Sequence, residues 1–234
     1  MNIAEIEAKY NYKFPTLFTK LWNDGMLDWL NGHSGEFTFP ENWANTIYPK
    51  IKDNPPLLLH SGGFDFELLR ASEILNFKFD EFWDIDTHKF IPFAKTEEGD
   101  IYAFYKNMEY EGENVIVRVW NEMNETEIIA KNFEDFIFRK MLEAVFDIDK
   151  DDLTGDYKED GFEGYITDLT KDLNSITPYI SDIYSNILLV IYTKYKVEES
   201  MFSYTLLDKL RFKEIIQEHL FFEKLDYLFE HECT

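Results

Sequence analysis

The spacing of apolar residues falls into three successive patterns along this chain, and each predicts its own kind of local structure. Ile3 to Tyr10 reads as a short helix with Ile3 and Ile6 on one side. Phe14-Pro15 opens a second helix, since proline suits the first turn, and Leu17, Phe18, Leu21 and Trp22 share one face of it. Gly25 is the expected stop. Residues 30–56 carry Gly, Pro and Asn and read as loops, and Leu57-Leu58-Leu59 reads as a buried strand.

From Phe90 the period shortens. Runs at 90–95, 101–105, 115–120 and 126–130, separated by turn residues, predict an antiparallel meander. Gly99 supplies the special backbone angle of the first turn, and Asn121 to Asn124 make the last. Val115, Val117 and Val119 alternate with Ile116, Arg118 and Trp120, which predicts a strand with two differing faces. Asn132 then caps a helix whose buried stripe is Phe133, Phe136, Ile137, Met141 and Val145.

A third pattern follows a polar stretch. Residues 147–163 hold few apolar side chains and read as an acidic linker. After it the spacing is helical throughout. Thr177-Pro178 predicts a helix start, with Ile180, Ile183, Tyr184, Ile187, Leu188 and Ile191 as its stripe. A last helix is predicted from about Phe212 to Glu230. The organisation expected is a domain over 1–146, the linker at 147–163, and a helical extension over 164–234 packed back on the domain.

Charge narrows the choice of partner. The formal net charge is −23 at pH 7. A nucleic-acid backbone and an anionic lipid surface would both be repelled. A basic protein is the natural complement. With one Cys, Cys233, no disulfide can form within the chain. The opening residues lack a signal-peptide pattern, and Ile187 to Ile191 is too short to span a bilayer. A cytoplasmic protein, monomeric or weakly dimeric, is the expectation.

Four stretches, in order, resemble the SMI1/KNR4 (SUKH) family. They are Glu7 to Gly25 with its Phe14-Pro15 turn and Asp24-Gly25 stop, and Asp65-Phe66-Glu67-Leu68-Leu69. Then come Ile91-Pro92-Phe93-Ala94 to Gly99-Asp100, and Val117-Arg118-Val119-Trp120 leading into Ile128 to Phe133. Met26-Leu27-Asp28-Trp29 is similar to a bacterial subgroup. The resemblance covers about 1–146. Glu97-Glu98 stands where small residues are expected, and the tail from 164 onward matches nothing in the family. The resemblance implies an α+β fold with a strongly bent antiparallel (mixed) sheet flanked by helices. It implies protein binding without a catalytic residue or cofactor: neutralisation of a toxin, often a nuclease, by an immunity protein, or regulation of cell-wall glucan synthesis by an adaptor.

The residues themselves offer little chemistry. Asp147, Asp149 and Asp151 alternate like a calcium loop, but Asp152 and Lys158 stand where such a loop needs Gly and a bidentate Glu. The five His residues show no metal-binding spacing, and there is no nucleophile elbow or phosphate loop. No cofactor, metal or catalytic residue is therefore expected. Asp80, Glu81, Asp84 and Asp86 bracket Phe82 and Trp83, a pattern read as an acidic helix face over buried aromatics; a carboxylate pair of a carbohydrate-active or metal-dependent hydrolase is the competing reading. Trp29 and Trp43, in loop-like segments, are candidates for a binding groove. The expected partner-binding set is Trp29, Trp43, Asp80, Glu81, Asp84, Glu97, Glu98 and Asp100.

Overall fold

A computed structural model describes residues 3–33, 41–62, 65–146, 148–150, 153, 161–194, 198–201 and 203–232. Most of the predicted acidic linker, including Asp147 and Asp151 of the calcium-like pattern, lies outside the described residues. The fold is α+β. Packing divides the chain into two compact units: Met1–Asn23, Phe64–Ile137 and His219–Thr234 form the first, Asp24–Gly63 and Phe138–Glu218 the second.

The first unit is built on a six-stranded antiparallel sheet. Its strands are β1 (Glu67–Leu68), β2 (Phe90–Lys95), β3 (Ile101–Tyr110), β4 (Glu113–Val119), β5 (Thr126–Ala130) and, from near the end of the chain, β9 (Leu228–Phe229). They lie in the order β1-β2-β3-β4-β5-β9, each antiparallel to its neighbour. Phe90 pairs with Tyr105 and Lys95 with Ile101, so the predicted first hairpin is present. The β2 register shifts between Pro92 and Ala94, as expected where a proline withholds its ladder donor.

Both sheet faces are covered. Phe93, Tyr102 and Phe104 meet an aromatic layer from α2 (Thr16–Asn23) and the start of α6 (Phe133–Glu143). Phe18 contacts Phe104 at 5.3 Å and Phe133 at 5.1 Å between ring centroids, while Phe93 meets Phe136 at 5.3 Å. On the other face Ile101, Ala103, Tyr105, Val115, Val117, Val119 and Ile128 pack with Trp83 and Phe222. The alternation in β4 thus separates two buried layers. Helices α1 (Ile3–Tyr10) and α5 (Ala71–Asn76) complete this unit.

In the second unit α3 (Glu41–Thr46) and α4 (Tyr48–Ile51) stand where loops were expected. Leu57-Leu58-Leu59 is buried or nearly so but is a turn, not a strand. Leu58 has φ +55, and Gly62 N donates to Leu58 O at 2.9 Å. This unit also holds α7 (Gly161–Ile176), α8 (Asp182–Lys194), α9 (Lys209–Ile215) and a small sheet of β6 (Ile148–Asp149), β8 (Ser203–Thr205) and β7 (Glu198–Glu199), in that order. Helix α8 begins four residues after Pro178. Thr177 to Ile180 continue as a turn, and Tyr184 N donates to Ser181 Oγ at 3.4 Å. The predicted helix over 212–230 is overturned beyond Leu220. A π-helical turn, Ile216–Leu220, closes it, and the chain then extends to reach β5. Among the described residues no helix is long and apolar enough to cross a membrane.

Candidate functional site

The β2–β3 turn is set by local hydrogen bonds. Thr96 N donates to Asp100 O at 2.9 Å, and Thr96 Oγ1 accepts from Asp100 N at 3.0 Å. Gly99 holds φ +93, and a Cβ there would meet Asn121 Nδ2 at 3.3 Å. Glu97 and Glu98 are left exposed at the tip. Asp100 is not a surface residue. It is 3% exposed, accepts from Arg118 Nε at 2.8 Å and Asn121 N at 2.8 Å, and lies 2.7 Å from the second Arg118 nitrogen. The Arg118 guanidinium in turn stacks on Trp120, 4.1 Å from the ring centroid. Asp100 therefore positions the turn; it has no free carboxylate to offer a partner.

The β4–β5 turn joins this corner to a third segment. Asn121 reaches Asp100, while Asn124 Oδ1 accepts from His231 N at 2.9 Å and Glu232 N at 2.7 Å. His231 O accepts from Asp84 N at 2.7 Å, and Trp83 pairs with Glu232 as an isolated antiparallel bridge. Hydrogen bonds at Asn121 and Asn124, joined by the main chain of the turn between them, thus link the carboxylates predicted near 97–100 with those near 80–84. Asp80 and Glu81 are exposed. The Thr87 hydroxyl and N–H hold the Asp84 carboxyl below its usual range.

The reading of residues 80–86 as a helix with buried aromatics is corrected. They form turns around the bridge at Trp83, and Asp80 Oδ1 accepts from Phe82 N at 2.9 Å. Such an Asx arrangement competes with helix formation. Trp83 is buried, but Phe82 is 64% exposed.

His231 fastens the terminal segment. Its ring is fully buried, faces Trp83 at 4.8 Å between centroids and lies 3.0 Å from the Thr126 hydroxyl through Nδ1. Burial, then the neighbouring His88, pushes its pKa down to about 4.

Trp29 and Trp43 belong to the second unit, whereas Asp80, Glu81, Asp84, Glu97, Glu98 and Asp100 belong to the first. Both are half-buried, and their indole N–H groups are engaged. Trp29 Nε1 donates to Leu57 O at 2.8 Å and Trp43 Nε1 to Trp29 O at 3.2 Å. Trp43 packs on Tyr48 at 5.1 Å, and Tyr48 meets His60 edge-on at 6.0 Å. The result is an aromatic ledge with its polar tips tied inward.

A buried polar cluster lies in the same unit. Asp172 Oδ2 accepts from His60 N at 3.0 Å, Ser61 N at 2.7 Å and Ser61 Oγ at 2.6 Å. The proximity of Ser, His and Asp does not make a hydrolytic triad. The His60 ring nitrogens face Lys52 O and Asp168, and the Ser61 hydroxyl donates to a carboxylate instead of to imidazole. Burial raises the Asp172 pKa. Among the described residues no group of three His, Cys, Asp or Glu side chains could hold a metal ion.

The sequence model of the SMI1 / KNR4 family (SUKH-1) matches residues 2–139. No curated protein and no solved structure matches the chain.

Proposed function

The chain belongs to the SMI1/KNR4 (SUKH-1) family, and from that premise we propose that it is a non-enzymatic immunity-type protein that binds and neutralises a basic toxin domain. The observation that carries this reading is the joined corner of the first unit. Three turns or segments meet there through named hydrogen bonds, and Glu97, Glu98, Asp80 and Glu81 are exposed on them. Opposite charge on a partner would speed encounter and fix its orientation. Neutralisation would proceed by covering the toxin's working surface, which requires no bond chemistry from this chain. A nuclease fits the charge argument well, because its own substrate is a polyanion and its surface is correspondingly basic.

The test is co-expression with the product of the neighbouring gene, because immunity and toxin genes lie side by side. Growth arrest by that product alone, relieved when this chain is co-produced and a one-to-one complex is recovered, supports the reading. Relief without a complex, or a complex without relief, contradicts it.

A further inference from the structure

Three segments of the first unit that come together share an acidic composition. Residues 80–86, 121–125 and 230–232 hold four, two and two carboxylates and no lysine or arginine of their own. Lys89 reaches in from outside them, its Nζ donating to Ile85 O at 3.2 Å and lying 3.9 Å from Asp86, so the carboxylates outnumber the nearby cation. They are fastened to one another by Asp84 N to His231 O and by Asn124 Oδ1 to His231 N and Glu232 N. Large apolar side chains stand out among these charges. Phe82 is 64% exposed, Ile85 45% and Met123 46%. Leaving a phenylalanine, an isoleucine and a methionine in water forgoes burial that each could gain against an apolar surface. Large side chains of this kind, ringed by polar groups, are what interface anchors look like before a partner arrives.

We infer that these segments form one docking surface, with Phe82, Ile85 and Met123 as anchors inside a carboxylate collar, and that it fits a protein surface whose apolar sockets are rimmed by lysine or arginine. This rests on the reading of the partner as basic and adds where and how it is gripped. Charge complementarity selects this occupant. A second copy of the chain would bring the same collar, and a net charge of −23, against its own kind. Part of the surface comes from residues 230–232, beyond the 2–139 stretch that matches the family. The chain therefore builds the collar partly from its own C-terminal segment.

The test uses two synthetic peptides of equal positive charge, one alternating lysine with leucine and one alternating lysine with serine. Binding to the full chain is read by titration calorimetry and mapped by amide hydrogen exchange. The Lys/Leu peptide is expected to bind at least tenfold more tightly than the Lys/Ser peptide and to protect 80–86, 121–125 and 230–232. Replacing Phe82→Ser and Ile85→Ser together should bring its affinity down to that of the Lys/Ser peptide. Met123→Ser should lower it independently, and all three positions are exposed enough for the fold to survive. Equal affinity of the two peptides, protection elsewhere, or an unaffected double variant overturns the anchor assignment while leaving a basic partner possible. Failure of both peptides to bind in low salt overturns the anchors and the basic-partner reading together.

Discussion

Arg118 and Asp100 form a nearly dry ion pair, their side chains 18% and 4% exposed and their closest atoms 2.7 Å apart. The pair fixes the β2–β3 turn beneath Glu97 and Glu98, so neighbouring carboxylates in sequence have opposite duties. Removing one member of a buried pair strands the other. Asp100→Ala should therefore cost about 3–5 kcal/mol of unfolding free energy. Glu97→Lys with Glu98→Lys should stay within about 0.5 kcal/mol per site. Urea denaturation of the three proteins checks this. Equal effects would place Asp100 on the surface after all.

The buried His231 should make the terminal segment acid-sensitive. Its folded pKa of about 4 lies below the ordinary 6.5. Above pH 6.5 both folded and unfolded states are neutral there. Between 6.5 and 4 the unfolded chain takes up the proton first, so this group's contribution to stability is lost as pH falls through that window. His231→Gln should flatten that part of the stability profile. Deuterium uptake by β9 and Trp83, once corrected for the intrinsic pH dependence of amide exchange, should rise in the native protein over the same range. A stability difference between native and variant that is constant from pH 7 to 4 contradicts the assignment.

Asp172 carries the opposite sign. Its pKa is raised above 3.8 by burial, so the folded state holds its proton more tightly than the unfolded chain. Its contribution is fully present below about pH 3.8 and declines as pH rises through the raised value. Measured against Asp172→Asn, the native chain should lose relative stability as pH increases from acid toward neutral. A difference that grows with pH would show that His60 and the three hydrogen bonds outweigh burial.

Truncation tests the placement of the predicted extension. Asp172 bonds to His60 and Ser61, Lys171 lies 3.3 Å from Asp53, and Tyr184 stacks on Phe138 with centroids 4.0 Å apart. A chain ending at Asp160 would lose α7 and α8 from the second unit and β9 from the sheet. Each large apolar side chain so uncovered forgoes about 1.5–3 kcal/mol. The fragment 1–160 should aggregate or melt at a lower temperature than the whole chain. Equal solubility and heat stability would make the tail an independent module.

What could be read from the sequence was what short stretches decide for themselves. The turn at Gly99, the stop at Gly25 and the cap at Asn132, whose Oδ1 accepts from Asp135 N at 2.8 Å, depend on a few adjacent residues. The hairpin at Glu111-Gly112 was missed: both residues have positive φ, yet only the glycine signals it, and β3 runs on to Tyr110 as a result. Ile215, Ile216, Leu220, Leu225 and Leu228 do fit helical spacing. The pairing of Leu228 with Glu127 overrides it, and a partner about a hundred residues away leaves no local trace. Phe82 is the same lesson at the site. An aromatic among carboxylates reads as core, and only the Trp83–Glu232 bridge decides which of two neighbouring aromatics turns inward. The carboxylates themselves were legible, but their joining through Asn121 and Asn124 was not.

The most direct measurement of the central claim is the association rate between this chain and the basic product of the adjacent gene, followed as ionic strength is raised. Exposed charges more than a Debye length apart, about 8–10 Å near physiological salt, lose their attraction. The account predicts an association rate that falls steeply with salt. Glu97→Lys with Glu98→Lys should slow association more than it speeds dissociation. An association rate indifferent to both salt and charge reversal would contradict the account and leave the acidity as a matter of solubility.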